Sequence, residues 1–393
     1  MASRFASRFL AAALLVLASS GSLLAAKPAT AKPAGDYALL GPDFGRGTPD
    51  KALADAIIAR ARLARDRPAA PLPEIHIEGV SSGQTKIAGV AAPALGPRSD
   101  TAASWASLRD MDAMLDLAMA WRLTGDRAFL KAADRYLQAW TSTYHLGFNP
   151  IDEGRFDELI LTYDLVEADL PARRRRGVDA FLGQMASGYI TAMETGEVPI
   201  KPTLTNNWQS HRIKLATLAA FQLGDPDLIA RAHALFDRHL DANLRADGST
   251  LDFAQRDALH YVTYSLDSQL IAALAAQAHG QNWYATQTLD GKSLPRTLDW
   301  VAQFATGQKT HVEFVKSVVP YDRQRAQAGK VTYQNRPWDR VTATRLYLIA
   351  QRLDPKWRPL SQALLAQAAQ ATPRETEPGD GYDWLLLLPP PAR

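Results

Sequence analysis

Two short stretches carry residue types whose spacing suits chemistry. The first reads Thr203-Leu-Thr-Asn206-Asn207-Trp208-Gln-Ser210-His211-Arg212-Ile-Lys214. With a helix opening near Asn206, Asn207, His211 and Lys214 fall at i, i+4 and i+7, on one stripe. An amide, an imidazole and an ammonium then stand in a row at a helix N-terminus. The free N–H groups and the positive dipole end there favour a carboxylate. The structural alternative is that Asn206 caps the helix and His211 is a satisfied core histidine. The second stretch reads Phe253-Ala-Gln-Arg256-Asp257-Ala-Leu-His260-Tyr261-Val-Thr-Tyr264. On one helix, Arg256 and His260 are at i, i+4, and Asp257, Tyr261 and Tyr264 at i, i+4, i+7. A tyrosine beside an arginine and a histidine has its phenol pKa, ordinarily about 10, lowered by positive charge. Such a phenol moves protons near neutral pH. An amphipathic helix with an exposed ion pair and core aromatics is the competing reading.

Together the stretches point to β-elimination on a uronic acid sugar. The C5 proton becomes acidic enough to remove only when the C6 carboxylate is neutralised. Amide, imidazolium and guanidinium groups around that carboxylate stabilise the enolate-like intermediate. A base takes the proton and an acid delivers one to the leaving O4; tyrosine suits one or both tasks.

From about Met111 to Tyr347 the chain resembles the alginate-lyase-like polysaccharide lyases. The Asn206-Asn207 pair opening a helix and the Arg256…Ala258-Leu259-His260-Tyr261 string carry the resemblance. His145-Leu-Gly-Phe-Asn149-Pro150-Ile, His311-Val-Glu-Phe-Val and Pro320-Tyr321-Asp-Arg323 support it. The resemblance implies an α/α toroid with a long groove, cleavage of mannuronate-type or related polyuronates, and no organic cofactor. It implies that Asn207 helps neutralise the carboxylate. Tyr261 would be the catalytic acid, with the role of base also open to it, and Arg256 would keep it ionisable and contact the sugar. Two positions depart from the family pattern. Trp208 stands where the family has its histidine, so His211, one turn on, is the candidate imidazole. Ala254 stands where the family has its arginine, so Arg256 is the candidate guanidinium. The departures bear on which uronan is recognised.

The elements that must position these residues read as helices. The chain has 393 residues, 44 Lys+Arg, 41 Asp+Glu, a formal charge of +3 and no cysteine. These values fit a globular protein and exclude disulfides, thiolate metal sites and a cysteine nucleophile. Met1–Ala26 reads as a secretory signal peptide: Arg4 and Arg8, the apolar run Phe9–Ala18, then small residues, with a second cleavage option after Ala31. Cleavage after Ala26 leaves a charge of only +1, which disfavours nucleic acid as a partner. A leader without cysteine suits a bacterial periplasm or secretion. Residues 27–47 read as a flexible leader and 48–372 as one lyase domain, with Thr48-Pro49 starting its first helix. Within it 68–98 is a Pro/Gly-rich loop, either a lid or a disordered or purely structural loop, and 373–393 form a tail whose Trp384–Leu388 packs on the last helices. Helical patterns run through Trp105–Leu123, Arg127–Trp140, Phe156–Ala168, Pro171–Met193, Asn207–Leu223, Pro226–Leu244, Phe253–Ala278, Leu294–Ala305, Val341–Leu353 and Leu360–Ala371. About ten helices joined mainly by short turns, without a strict repeat, predict an all-α, α/α toroid rather than a solenoid. His311–Val319 alternates weakly, as a short strand or an irregular edge would.

Further candidates for binding an anionic polysaccharide are Asn206, Trp208, His260 and Lys214. Lys86 joins them from the loop, with Gln84 and Arg98, and Arg323 from a basic rim with Arg325, Lys330 and Arg336. Trp105 and Trp140 are stacking candidates or core. No residue spacing suggests a metal, and the oligomeric state is open. Two other functions compete. A glycoside hydrolase would use two carboxylates among Asp110, Asp112, Glu153 and Asp157. A non-catalytic polysaccharide-binding protein would keep the groove without the chemistry.

Overall fold

Five helices of this chain bury residues all round, and that places them inside the molecule. In a computed structural model the structure describes residues 37–77 (42 and 46–49 excepted), 101–198, 201–370 and 381–388. These all fall in one compact unit, Pro33–Arg393. Their α-helices are α1 (Lys51–Arg65), α2 (Thr101–Thr124), α3 (Arg127–Thr143), α4 (Phe156–Val166), α5 (Ala172–Thr195), α6 (Asn207–Leu223), α7 (Pro226–Asn243), α8 (Leu251–Arg256), α9 (Leu259–Ala278), α10 (Leu294–Ala305), α11 (Pro320–Gln327), α12 (Thr344–Leu353), α13 (Arg358–Gln370) and α14 (Asp383–Leu387). No strand occurs among the described residues, only three isolated bridges.

The inner helices α2, α4, α6, α9 and α12 pack side by side in that order. Around them lie α1, α3, α5, α7, α10 and α13, several with one apolar face. Two concentric layers of antiparallel helices make the α/α toroid expected from the sequence. In α6 every residue from Asn207 to Gln222 is buried, polar ones included. That is where the toroid must satisfy polar groups internally or leave them for a ligand.

The punctuation residues act as their types dictate. Gly125 and Gly224 take positive φ (70° and 60°), and Asp126 and Asp225 accept from the first free N–H groups of α3 and α7. The cap of α1 is Asp50, accepting from Leu53 N; Thr48-Pro49, proposed for that role, lies outside the described residues. So do the signal peptide, most of the leader, and the loop residues Gln84, Lys86 and Arg98. The tail's Trp384, Leu385 and Leu387 are buried in the core, as expected.

One expectation is corrected, one open alternative is decided and one helix is added. Phe253–Ala278 is not one helix: α8 ends at Arg256, Asp257 adopts φ 50° and Ala258 is extended before α9 starts. The break is stabilised from afar. Glu313 accepts from Leu259 N (2.7 Å) and His260 N (2.9 Å), a carboxylate at the positive end of α9 supplied from fifty-four residues away. The His311–Val319 stretch forms no strand; it laces onto the break through Phe314 N to Asp257 O (2.8 Å) and Val318 N to Gln255 O (2.9 Å). And α11, absent from the sequence reading, packs a buried Asp322 towards α8.

Candidate functional site

Helix α6 begins where its N-cap dictates. The Asn206 side chain accepts from Trp208 N (3.0 Å), so Asn206 is occupied in capping. Asn207 is anchored by its backbone N–H, which donates to the buried Asp252 of α8 (3.2 Å). Asp252 also accepts from Asn243 (2.9 Å). The Asn207 side chain is left available: its Oδ1 is buried with no hydrogen-bond partner among the described residues. A half-turn of the amide puts its NH2 in that place.

One turn on, His211 is 4% exposed. Its Nδ1 lies 3.1 Å from Ser268 Oγ of α9, and its Nε2 is buried and unpartnered among the described residues. Burial pushes its pKa well below the usual imidazole value, and the Lys214 and Arg345 charges push the same way. The imidazole is therefore neutral at neutral pH, not the imidazolium expected from the sequence. A neutral ring held at Nδ1 presents Nε2 either as an N–H donor or as a base, according to which way the Ser268 proton points.

Lys214, expected on the same stripe, does not share this environment's chemistry. Its ammonium is bonded to Asp157 (2.7 Å) and Gly154 O (2.8 Å), with both side chains buried. It is a structural ion pair of the inner ring. Trp208 is likewise interior, with the Arg212 guanidinium 5.9 Å from its ring. Trp140 is fully buried and bonded to Asp110, so it is core.

The second group stands at the α8–α9 break. Arg256 caps the face of the Tyr261 ring at 3.9 Å and is fixed by Asp322 of α11 (2.6 Å). Tyr261 is 7% exposed, and its hydroxyl is 2.9 Å from that of Tyr333. The expected lowering of its pKa does not hold. Burial raises the phenol well above its usual value, and Arg256 only partly offsets this. Removing a charged group's hydration outweighs one stacked guanidinium, so the resting phenol is protonated and fit to be an acid. His260, half-buried, meets Tyr261 edge-on (5.2 Å) and stacks on Tyr264 (6.2 Å). Burial pushes its pKa down to about 4, helped by Arg336 and Arg256.

Tyr264 joins the two groups: its ring centroid is 4.2 Å from that of His211. A continuous series thus runs from His211 through Tyr264 and His260 to Tyr261 and Arg256, while Asp252 ties Asn207 to α8. The helix packing α6 on α9 brings together the two stretches, as the sequence required. The sequence reading singled out neither Ser268 nor Glu313, Asp322 or Tyr333. Ser268 was legible, being four residues after Tyr264 on the same helix; Glu313 and Tyr333 sit in chain that carries no periodic signal, and Asp322 on a helix of only eight residues. Arg323 is exposed on α11, and Arg325 is drawn inward to Tyr333.

The four carboxylates of the hydrolase alternative are all engaged. Asp110 holds Arg67, Ala70 N and Trp140, and Glu153 takes Tyr144, Tyr189 and two backbone N–H groups. Asp112 pairs with Arg155 (2.5 Å) and Asp157 with Lys214.

Imidazoles, phenols and a guanidinium thus stand in one series inside a helical toroid, with Asn207 tied to α8 through Asp252. Residues 59–311 match the family described as alginate lyase. The chain belongs to that family and is a polysaccharide lyase. Among solved structures it is similar to an alginate lyase from Bacteroides ovatus, with 19% identity over 86% of this chain and 92% of the other, TM-score 0.59. It is also similar to a variant of alginate lyase A1-III, from Sphingomonas species A1, complexed with tetrasaccharide, with 14% identity over 90% of this chain and 99% of the other, TM-score 0.51. No curated protein matches the chain. At these identities the likeness speaks for the fold.

Proposed function

We propose that the protein cleaves a uronic-acid polymer, alginate or a related uronan, by β-elimination, with Asn207, His211, Arg256 and Tyr261 as the reacting set. The observation that carries this is the pair of buried atoms Asn207 Oδ1 and His211 Nε2, one helical turn apart on α6 and without partners among the described residues. Buried polar groups without partners cost roughly 1–3 kcal/mol each, and a ligand that bonds both recovers that cost. A sugar carboxylate fits an amide NH2 beside the N-terminus of α6.

In this reading Asn207 withdraws charge from the C6 carboxylate. Neutral His211 takes the C5 proton at Nε2. The electrons form the C4=C5 bond as C4–O4 breaks, and protonated Tyr261 gives its proton to O4. Arg256, against the ring, stabilises the phenolate left behind. Polymer contacts beyond the reacting sugar fall to His260 and Arg323, and to Lys86 outside the described residues; His260 is the best placed, being half-buried beside Tyr261.

A second reading is favoured by one observation. Tyr264, not Tyr261, touches the His211 ring, so Tyr264 is the alternative acid. The deciding experiment is ultraviolet detection of an unsaturated uronate product over a panel of defined uronans. It is run for the wild type, Tyr261→Phe and Tyr264→Phe. Loss of product with Tyr261→Phe alone supports the first reading and with Tyr264→Phe alone the second. A folded wild type giving no unsaturated product from any uronan ends both. The leader Met1–Ala26 supports work in the periplasm or outside the cell; no helix among the described residues is long and apolar enough to cross a membrane.

A further inference from the structure

Beyond residue 311, where the family match ends, the chain returns to the site and covers Tyr261. Phe314 meets the Tyr261 ring edge-on, and Tyr333 packs against both. The Tyr333 hydroxyl is 2.9 Å from that of Tyr261 and accepts from Arg325 Nη1 at 2.5 Å. The Arg325 guanidinium also lies over the Tyr333 ring (4.9 Å) and the Tyr321 ring (4.2 Å), and donates to the Tyr321 hydroxyl. An arginine side chain only donates. Its bond to the Tyr333 oxygen leaves the Tyr333 proton able to point at Tyr261, and either hydroxyl can donate across that contact. Tyr261 is buried, while Tyr333 is half-buried and so reaches the surface.

We propose that Tyr333, held by Arg325, is the group through which Tyr261 recovers its proton after each turnover. The inference rests on the reading of Tyr261 as the acid. When the Tyr261 O–H bond breaks and its proton goes to the departing O4, Tyr261 is left as phenolate and His211 holds the C5 proton. The Tyr333 proton then passes along the 2.9 Å contact to Tyr261, and Tyr333 takes a proton from solvent. His211 releases the C5 proton to water, and the enzyme returns to its starting state with no net change. During the exchange the negative charge sits on either phenol oxygen, between Arg256 on one side and Arg325 on the other. Tyr333 is thus a positioning and relay residue that need not touch the sugar.

The charged and titratable groups facing Tyr261 are Arg256 of α8, Asp322 and Arg325 of α11, Tyr333, its neighbour His260, and Glu313 beneath the first turn of α9. Arg256 and Asp322 are a fixed pair, and His260 is uncharged near neutrality because burial depresses its pKa. The pH response well above neutrality is therefore expected to report Tyr261, whose phenol pKa burial raises above its usual value.

The test uses full-length Tyr333→Phe, Arg325→Met and Arg325→Lys, each checked for an unchanged circular dichroism spectrum and melting temperature. Steady-state cleavage is followed across pH in light and heavy water. Tyr333→Phe should lower kcat about tenfold or more, within the range that proton-transfer groups contribute, with KM changed less than about twofold. It should also shift the basic limb of the kcat profile and enlarge the solvent isotope effect. Arg325→Met should move the same limb and Arg325→Lys restore it partly. Should Tyr333→Phe unfold, the two Arg325 variants decide alone. Wild-type kcat, limb and isotope effect in a folded Tyr333→Phe, or in Arg325→Met where that variant must decide, overturns the relay. If Tyr261→Phe is inactive in the same series, the relay alone has failed. If Tyr261→Phe keeps turnover, the acid assignment has failed and the relay with it.

Discussion

The imidazole of His211 lies against the ring of Tyr264, centroids 4.2 Å apart, while Ser268 holds its Nδ1 at 3.1 Å and nothing among the described residues meets its Nε2. A buried histidine so placed stays neutral. Its pKa is lowered by burial and by Lys214 and Arg345, so it is not protonated as pH falls through the ordinary imidazole range. We therefore expect kcat/KM to show no acid limb near pH 6.5 and to fall only at distinctly lower pH. His211→Ala should lose about a hundredfold or more. A titration of activity centred near 6.5 would contradict the neutral-base assignment.

Asn206 and Asn207 are adjacent but should separate cleanly under mutation. Asn206→Ala removes the α6 cap and should cost about 1 kcal/mol in urea unfolding. Asn207→Ala keeps that cap and the backbone bond to Asp252. It should leave stability within about 1 kcal/mol, since it deletes an amide whose Oδ1 has no partner among the described residues, and lower kcat/KM about a hundredfold by the loss of a carboxylate donor.

Lys214 and Asp157 test the correction made to the substrate-binding set. Lys214→Met leaves Asp157 buried with Arg345, 4.0 Å away, as its remaining cation, and should destabilise by about 3 kcal/mol. The double change Lys214→Met with Asp157→Leu should recover much of that loss. A Lys214→Met protein with wild-type unfolding but weakened substrate binding would return Lys214 to the site.

His239 sets an acid sensitivity of the fold. It is fully buried, with Nε2 2.7 Å from Ser210 Oγ, and burial lowers its pKa to about 3, aided by Arg212. Between that value and 6.5 the unfolded chain binds a proton that the folded one refuses. Stability therefore falls as pH drops below 6.5 and levels off near pH 3. At pH 4.5 the loss from this residue is about 2–3 kcal/mol. His239→Gln should lose that much less between pH 7 and pH 4.5 in denaturant unfolding, and an identical pH dependence would exclude the residue as the cause.

The sequence by itself determined most of the helices and the toroid, because a helix needs only local spacing, a cap and a stop. Asn206 and Gly224 bound α6 from within its own segment. It also determined that Asn207 and His211 share a stripe, since 3.6-residue periodicity fixes that before any packing. Tertiary structure alone decided which of the candidate groups are free. Lys214 has its position fixed by the same periodicity as His211, yet Asp157, fifty-seven residues away, consumes its charge. The break at Asp257 depends on Glu313, and the setting of Tyr261 depends on Tyr333, both from irregular chain. Even the direction of the Tyr261 pKa was undecidable from spacing. Arg256 does stand against it, but burial, which depends on everything packed around the ring, is the larger effect.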